Sequence, residues 1–320
     1  SSIGKLNSLQ ILSMDKNMLD GSLPTTFGQL ARLGSLSVQE NCLSGFIPSS
    51  IGSMTNLHTI EIGANCLIGS MPRAMAQVAK LVRLDVSDNA ITGSIPSVLG
   101  SLTKLTILQL GGNIFEGEIP TTYSELTSLR YLDLSEAVID STIPTLFNSL
   151  LELEYMDLSS CSIHGSIPPL SEYASLEFLY LGDNNMQGSI PSIANTPGGN
   201  LLSLDISLNP SISGSIPTML CTMDGIYIDV TGTNIHCYSD CLTSSAVVID
   251  GASGNCHDGT AMLQFLSILC SFVLLSICIT AVYQWDFLPV LSTAAAATTS
   301  TKEEGNITTH FMVNCSWICC

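Results

Sequence analysis

Basic side chains are the scarcest feature of this 320-residue chain. Nine Lys and Arg stand against 27 Asp and Glu, a formal net charge of −18 at pH 7, and no Lys or Arg occurs between Arg130 and Lys302. Such a chain repels phosphate backbones, which makes nucleic acid and anionic lipid surfaces poor partners, so that no nucleic acid is expected and cationic or neutral ligands remain. Charge of either sign is sparse at 11%, whereas 46% of the residues are hydrophobic, too many for a disordered chain. Catalytic signatures are missing as well. There is no G-x-S-x-G, H-E-x-x-H, G-x-x-x-x-G-K-S/T or dinucleotide-binding fingerprint, and the five histidines, His58, His164, His236, His257 and His310, are scattered. The chain is therefore expected not to be an enzyme and to need no cofactor and no metal. Cysteine, by contrast, is plentiful: twelve are many for a cytosolic chain, so an oxidising compartment is expected for at least part of it.

One segment lacks charge altogether. Ala261 to Tyr283 are 23 uncharged, mostly apolar residues between Asp258 and Asp286, about 34 Å as a helix against a hydrocarbon core of roughly 30 Å. This predicts one membrane span.

Upstream of it the chain repeats. An apolar residue opens each unit at Leu6, Leu30, Met54, Val78, Leu102, Leu126 and Leu150, in steps of 24. Proline follows in phase at Pro24, Pro48, Pro72, Pro96, Pro120, Pro144, Pro168, Pro191 and Pro217. A unit reads L-x-x-L-x-x-L-x-L-x-x-N-x-Φ-x-G-x-I-P, with Φ apolar, within the 20–29-residue range of leucine-rich repeats. The L-x-L stretch has period 2, so it predicts a short strand whose alternate side chains point inward, pairing in parallel with the next unit. Asparagine at Asn17, Asn41, Asn65, Asn89, Asn113, Asn184 and Asn209 can satisfy backbone groups where the chain leaves the strand, and Ala137 and Cys161 interrupt that column. Glycine recurs before the Ile-Pro, except at Ser141.

The pattern resembles the extracellular plant-type leucine-rich repeat of receptor-like kinases, receptor-like proteins and polygalacturonase-inhibiting proteins, over residues 1 to about 220. The resemblance implies an α/β leucine-rich repeat solenoid, with a curved parallel β-sheet on the concave face and an irregular or 3-10 convex side, here followed by one transmembrane helix. Residues 1–220 then hold about nine repeats, 221–258 a cysteine-containing C-terminal cap, 259–285 the transmembrane helix and 286–320 a short Thr/Ala-rich tail. Ser1 enters directly into a unit, without a signal peptide or cap, so a piece of a longer protein is expected.

Cys221, Cys237, Cys241 and Cys256 fall where a solenoid needs a cap. They suit two disulfides, or a zinc site together with His236 and His257 that matches no common finger spacing. Cys42 and Cys66 hold the same place in adjacent units, either as a disulfide rung or as two surface thiols. Cys161, in the asparagine column, is expected to be buried and inert. In the tail, Cys315, Cys319 and Cys320 are candidates for acylation, and a cytoplasmic tail would leave Asn306 and Asn314 unglycosylated.

Curved repeat arrays bind on their concave faces. The residue before each L-x-L runs Ile11, Ser35, Thr59, Arg83, Ile107, Tyr131, Tyr155, Phe178, Ser203, and the residue between the two strand leucines runs Ser13, Ser37, Glu61, Asp85, Gln109, Asp133, Asp157, Tyr180, Asp205. Tyr131, Tyr155, Phe178 and Tyr180 thus form an aromatic patch, with Asp133, Asp157, Asp183 and Asp205 as acidic neighbours that would attract a cationic ligand. The competing reading is an ordinary strand surface, on which aromatics pack well and acids stay solvated.

The resemblance and the patch together imply a single-pass plasma-membrane receptor-like protein with extracellular repeats and no kinase. It would bind a peptide, protein or glycan and signal, if at all, through a partner such as a co-receptor. The alternative is an adhesion or wall-associated surface protein, or an inhibitor of cell-wall-degrading enzymes.

Overall fold

In the computed structural model the described residues are 3–191, 200–223, 225–236 and 248–250. The remaining candidate cap cysteines Cys237, Cys241 and Cys256, the uncharged segment 261–283 and the tail 286–320 lie outside them. Among the described residues no helix is long and apolar enough to cross a membrane.

The repeats wind into a leucine-rich repeat solenoid. Three residues from each unit enter one eleven-stranded parallel sheet whose strands follow each other in chain order, from Ile11–Ser13 to Val248–Asp250. The register holds throughout: Tyr131 pairs with Ile107 on one side and Tyr155 on the other, and Tyr155 with Phe178. The one-residue deletion before Phe178 therefore leaves the sheet untouched. The sheet also outlasts the repeat pattern. Beyond Pro217, Tyr227–Asp229 and Val248–Asp250 add two strands in register, so residue 220 marks a change of sequence pattern within the sheet and not its end.

The inward residue of each strand builds the core. Leu36, Ile60, Leu84, Leu108, Leu132, Met156, Leu179, Leu204 and Ile228 are fully buried and stack along the solenoid; each such burial contributes up to about 1.5–3 kcal/mol. The asparagine column turns the chain out of the sheet. Buried Asn65 donates from Nδ2 to the carbonyls of Val38, Ile62 and Gly63 at 3.0–3.2 Å, and its Oδ1 accepts from Leu43 N–H at 2.9 Å. One amide thus satisfies backbone groups of two units. At Cys161 the thiol replaces it, 3.3 Å from the Leu134 carbonyl and 3.4 Å from that of Ser159.

After the asparagine a second ladder forms along the flank, but in two pieces. Five strands from Asp20–Ser22 to Ile114–Glu116 make one sheet and four from His164–Gly165 to Asn234–His236 another, with a single bridge from Glu116 to Val138 at the break. The unit at the break carries both Ala137, in place of the column asparagine, and Ser141. Gly117 and Gly165, its counterparts in the adjoining units, sit at φ +93° and +86°, a region closed to most side chains. Ser141 is not at positive φ, and its unit keeps only single backbone bonds to its neighbours in this ladder, from Val138 N–H to the Phe115 carbonyl at 2.9 Å and from His164 N–H to the Ser141 carbonyl at 2.8 Å.

Each Ile-Pro then leads into the opposite side, where prolines such as Pro48 and Pro96 precede 3-10 turns at Ser49–Ser53 and Ser97–Ser101. These turns stack closely. A Cβ on Gly52 would lie 2.4 Å from the Ala74 carbonyl oxygen, and one on Gly100 2.4 Å from that of Thr122.

Candidate functional site

The aromatic residues come together on the outer face of the eleven-stranded sheet, in the order their columns predict. Tyr131 and Tyr155 are direct neighbours on adjacent strands, their ring centroids 4.1 Å apart and their planes within 4°. Tyr155 also meets Phe178 at 6.1 Å and 40°, and Tyr180 at 5.5 Å and 57°. It touches all three other aromatics, and the tilt of its last two neighbours leaves the stack splayed at that end. The four rings are half-buried. Burial drives the phenol pKa of Tyr155 well above its ordinary value, reinforced by the adjacent Asp157 carboxylate, and burial likewise raises Tyr131 and Tyr180. The three hydroxyls therefore stay protonated as donors, and that of Tyr155 donates to Asp157 Oδ2 at 3.3 Å.

The acidic column has a structural duty. Asp133 Oδ1 accepts from the Ser135 N–H at 3.0 Å and its hydroxyl at 2.7 Å; Asp157 Oδ1 does the same with Ser159, at 2.9 and 2.6 Å. Asp205 accepts from Ser207 N–H at 2.8 Å, and Asp229 from Thr231 N–H at 2.9 Å. These are Asx-turns that end the strands. The D-x-S spacing was visible in the sequence, but its local hydrogen bond competes with a ligand role for one oxygen of each carboxylate. Burial pushes the Asp133 carboxyl up, against the Ser135 bonds that pull it down. Asp183 stands apart from the patch. It is exposed, at φ +55° in the turn after the Phe178–Tyr180 strand, where other units place Lys16, Glu40, Asp88 and Glu136.

A third column completes the site. An open trough of about 430 Å³ crosses four strands and is lined by Ile107, Tyr131, Tyr155 and Phe178 together with the residues preceding them, Thr106, Arg130, Glu154 and Glu177. Arg130 donates from Nε to Glu154 Oε1 at 3.0 Å and from Nη2 to the same oxygen. The sequence pattern pointed only to the residue just before each L-x-L and the one between its leucines, and this column lies one position earlier; the backbone bonds of Glu154 and Tyr155 N–H to the one Arg130 carbonyl, at 2.9 and 3.0 Å, tie both residues to the same point of the neighbouring strand. Tyr227 and Asp229 continue the two original columns one strand beyond Ser203 and Asp205.

Toward the N-terminal end the same face is closed by its own charges. Arg83 Nε lies 2.6 Å from Glu61 Oε1, though its N–H is not aimed there, and Arg83 Nη2 donates to Gln109 Oε1 at 2.9 Å. Cys42 and Cys66 open successive flank strands. The ladder is staggered, with Ser44 and not Cys42 opposite Cys66.

A family profile described as Leucine Rich Repeat matches residues 8–30, 80–102 and 152–173. No curated protein matches the chain in sequence. Among solved structures it is similar to the plant peptide hormone receptor RGFR1 in complex with RGF2, at 32% identity and a TM-score of 0.71, over 78% of this chain and 40% of that one. It is also similar to the Arabidopsis receptor kinase HAESA in complex with the peptide hormone IDA and the co-receptor SERK1, at 30% identity and 0.66, over 73% and 40%. A plant ice-binding protein shares the fold at 24% identity and 0.62, over 79% of each chain. The chain thus carries leucine-rich repeats like those of plant receptor ectodomains and spans about 40% of the length of the two receptors.

Proposed function

We propose that this chain is a cell-surface, receptor-like protein that binds a peptide outside the cell through the trough on its concave sheet, by recognition and not catalysis. The observation that carries the reading is the aromatic run Tyr131–Tyr155–Phe178, held in register across three strands and splayed at one end. Rigid aromatic side chains supply contact area at low entropic cost and are enriched where binding energy concentrates. The receptors of similar fold are complexes with peptide hormones, which favours a peptide over a glycan. A stack whose inner ring faces cover one another also offers sugars little platform.

The uncharged segment 261–283 anchors the repeats outside the plasma membrane in this reading, and any signal passes through a partner, a co-receptor being the natural kind. An oxidising exterior fits the cysteines. In this reading Cys42 and Cys66 form a rung between adjacent units and Cys221 belongs to a bonded C-terminal cap. Topology is tested with an epitope tag before Ser1 on the full chain in intact cells. Antibody should reach the tag without permeabilisation, and a glycan on Asn306 or Asn314 would turn the molecule over.

A further inference from the structure

Resting on the reading of the trough as a peptide site, we propose that it selects a basic side chain of the peptide, an arginine above all, and that Glu177 is the residue that determines this selectivity. The acids on the two sides of the aromatic column are not equivalent. On one side, Asp133, Asp157 and Asp205 each commit Oδ1 to the turn that ends their strand. On the other side Arg130, Glu154 and Glu177 follow each other on adjacent strands, linked by backbone bonds from Glu154 N–H to the Arg130 carbonyl and from Glu177 N–H to the Glu154 carbonyl. One guanidinium faces two carboxylates there. Arg130 is taken by Glu154, and among the described residues the Glu177 carboxylate has neither an ion pair nor a hydrogen bond, although it is half-buried and lines the trough.

Adjacent like charges on neighbouring strands are unfavourable. A cation seated at Glu177 relieves that repulsion, whereas a neutral or acidic group would desolvate the carboxylate without replacing its water. The neighbouring rings favour the same occupant. Phe178 follows Glu177 and is tilted 40° against Tyr155, so the splayed end of the stack presents π surface beside the free carboxylate. A guanidinium is planar, weakly hydrated, stacks on aromatic rings and pairs with carboxylate through two parallel hydrogen bonds. After Arg130, which Glu154 holds, the chain supplies no further Lys or Arg before Lys302. The opposite end of the trough, at Ile107 and Thr106, carries no charge and suits an apolar or small residue of the same peptide.

The test uses the full chain in detergent micelles and two bead-bound hexapeptide pools, randomised at five positions and fixed as arginine or as its neutral isostere citrulline at the fourth. Wild-type protein should bind the arginine pool at least tenfold more than the citrulline pool at low salt, with the ratio shrinking as salt screens the pair. Glu177→Gln should bring that ratio close to one, and Tyr155→Ala should lower binding to both pools. Equal binding of the two pools by the wild type, reduced in Tyr155→Ala, would overturn the arginine selectivity and leave the trough as a peptide site. A preference that survives Glu177→Gln would remove Glu177 from the role. Binding of both pools no better than that of Tyr155→Ala would overturn the selectivity and the peptide reading together.

Discussion

If Tyr131 and Tyr155 are stacked before any ligand arrives, their contribution must be measurable in the free protein. Parallel rings 4.1 Å apart on directly paired strand positions are worth about 0.5–1.5 kcal/mol beyond burial, so the coupling should be about 1 kcal/mol. Tyr155→Ala loses contacts with three rings, Tyr131→Ala with one. The single losses of stability should therefore be about 2 and about 1 kcal/mol, from surface and stacking together, because half-buried positions on the outer face leave no core cavity when truncated. The double variant should lose about 2 and not about 3 kcal/mol, since the stack is counted once in each single change. Thr59→Ala with Tyr155→Ala is the control: Thr59 is on the same column four strands away, and the pair should add to within about 0.5 kcal/mol. Repeat arrays open locally, so the readout is hydrogen exchange at the backbone amides of Leu132 and Met156, the inward residues of those strands, with urea unfolding as a check. A coupling below about 0.3 kcal/mol in both would refute a preformed stack. With the stack in place, ligand binding need not order these side chains, and Tyr155→Ala should weaken peptide binding by about 2 kcal/mol, near 30-fold in Kd.

Other parts of the molecule give further expectations. Asn65→Ala strips four hydrogen bonds from a buried junction and should cost about 2–4 kcal/mol, whereas Asn17→Ala, exposed at the first unit, should cost under about 1; comparable urea midpoint shifts would undo the account of the asparagine column. Gly100→Ala should cost more than Gly117→Ala. The new Cβ meets the rigid Thr122 carbonyl in the first case and open space in the second, where only φ +93° resists at about 1–2 kcal/mol. Burial pushes the Cys161 thiol up to about 11, so its alkylation in the folded protein should stay slow at pH 8 and rise with pH toward that value. The sign for stability follows: a raised folded-state pKa gives a contribution complete below the unfolded thiol pKa of about 8.5 and lost as pH rises to about 11. Cys161→Ser should flatten that alkaline decline, and an unchanged profile would reject it. For the cysteine rung, Cys42→Ser should cost about 3 kcal/mol and leave Cys66 open to alkylation without reduction.

The columns of the eleven-stranded sheet were legible because a strict 24-residue step turns sequence position into spatial position. Tyr131, Tyr155 and Phe178 needed no further information to be placed side by side, and the residue lost before Phe178 was absorbed outside the strands. What periodicity cannot convey is how each side chain spends its hydrogen bonds. Asp133 and Asp157 look like ligand groups in a column, yet the serine two residues on claims one oxygen of each. Asp183 has the right charge, but its backbone is in a left-handed turn outside the strand. Glu177 stood one position away from those read as outward-facing, and its importance comes from a count over three strands: Arg130 neutralises Glu154 and leaves nothing for the next carboxylate. The break in the flank ladder is the reverse case. Ala137 and Ser141 were visible as exceptions in one unit, but that the flank ladder breaks there became apparent only from the strand pairing. A repeat sequence thus fixes which residues are neighbours. Which of those neighbours remains free for a ligand depends on the partners each has already taken, and that is why the trough's unpaired carboxylate, and not its most acidic column, is where selectivity should be sought.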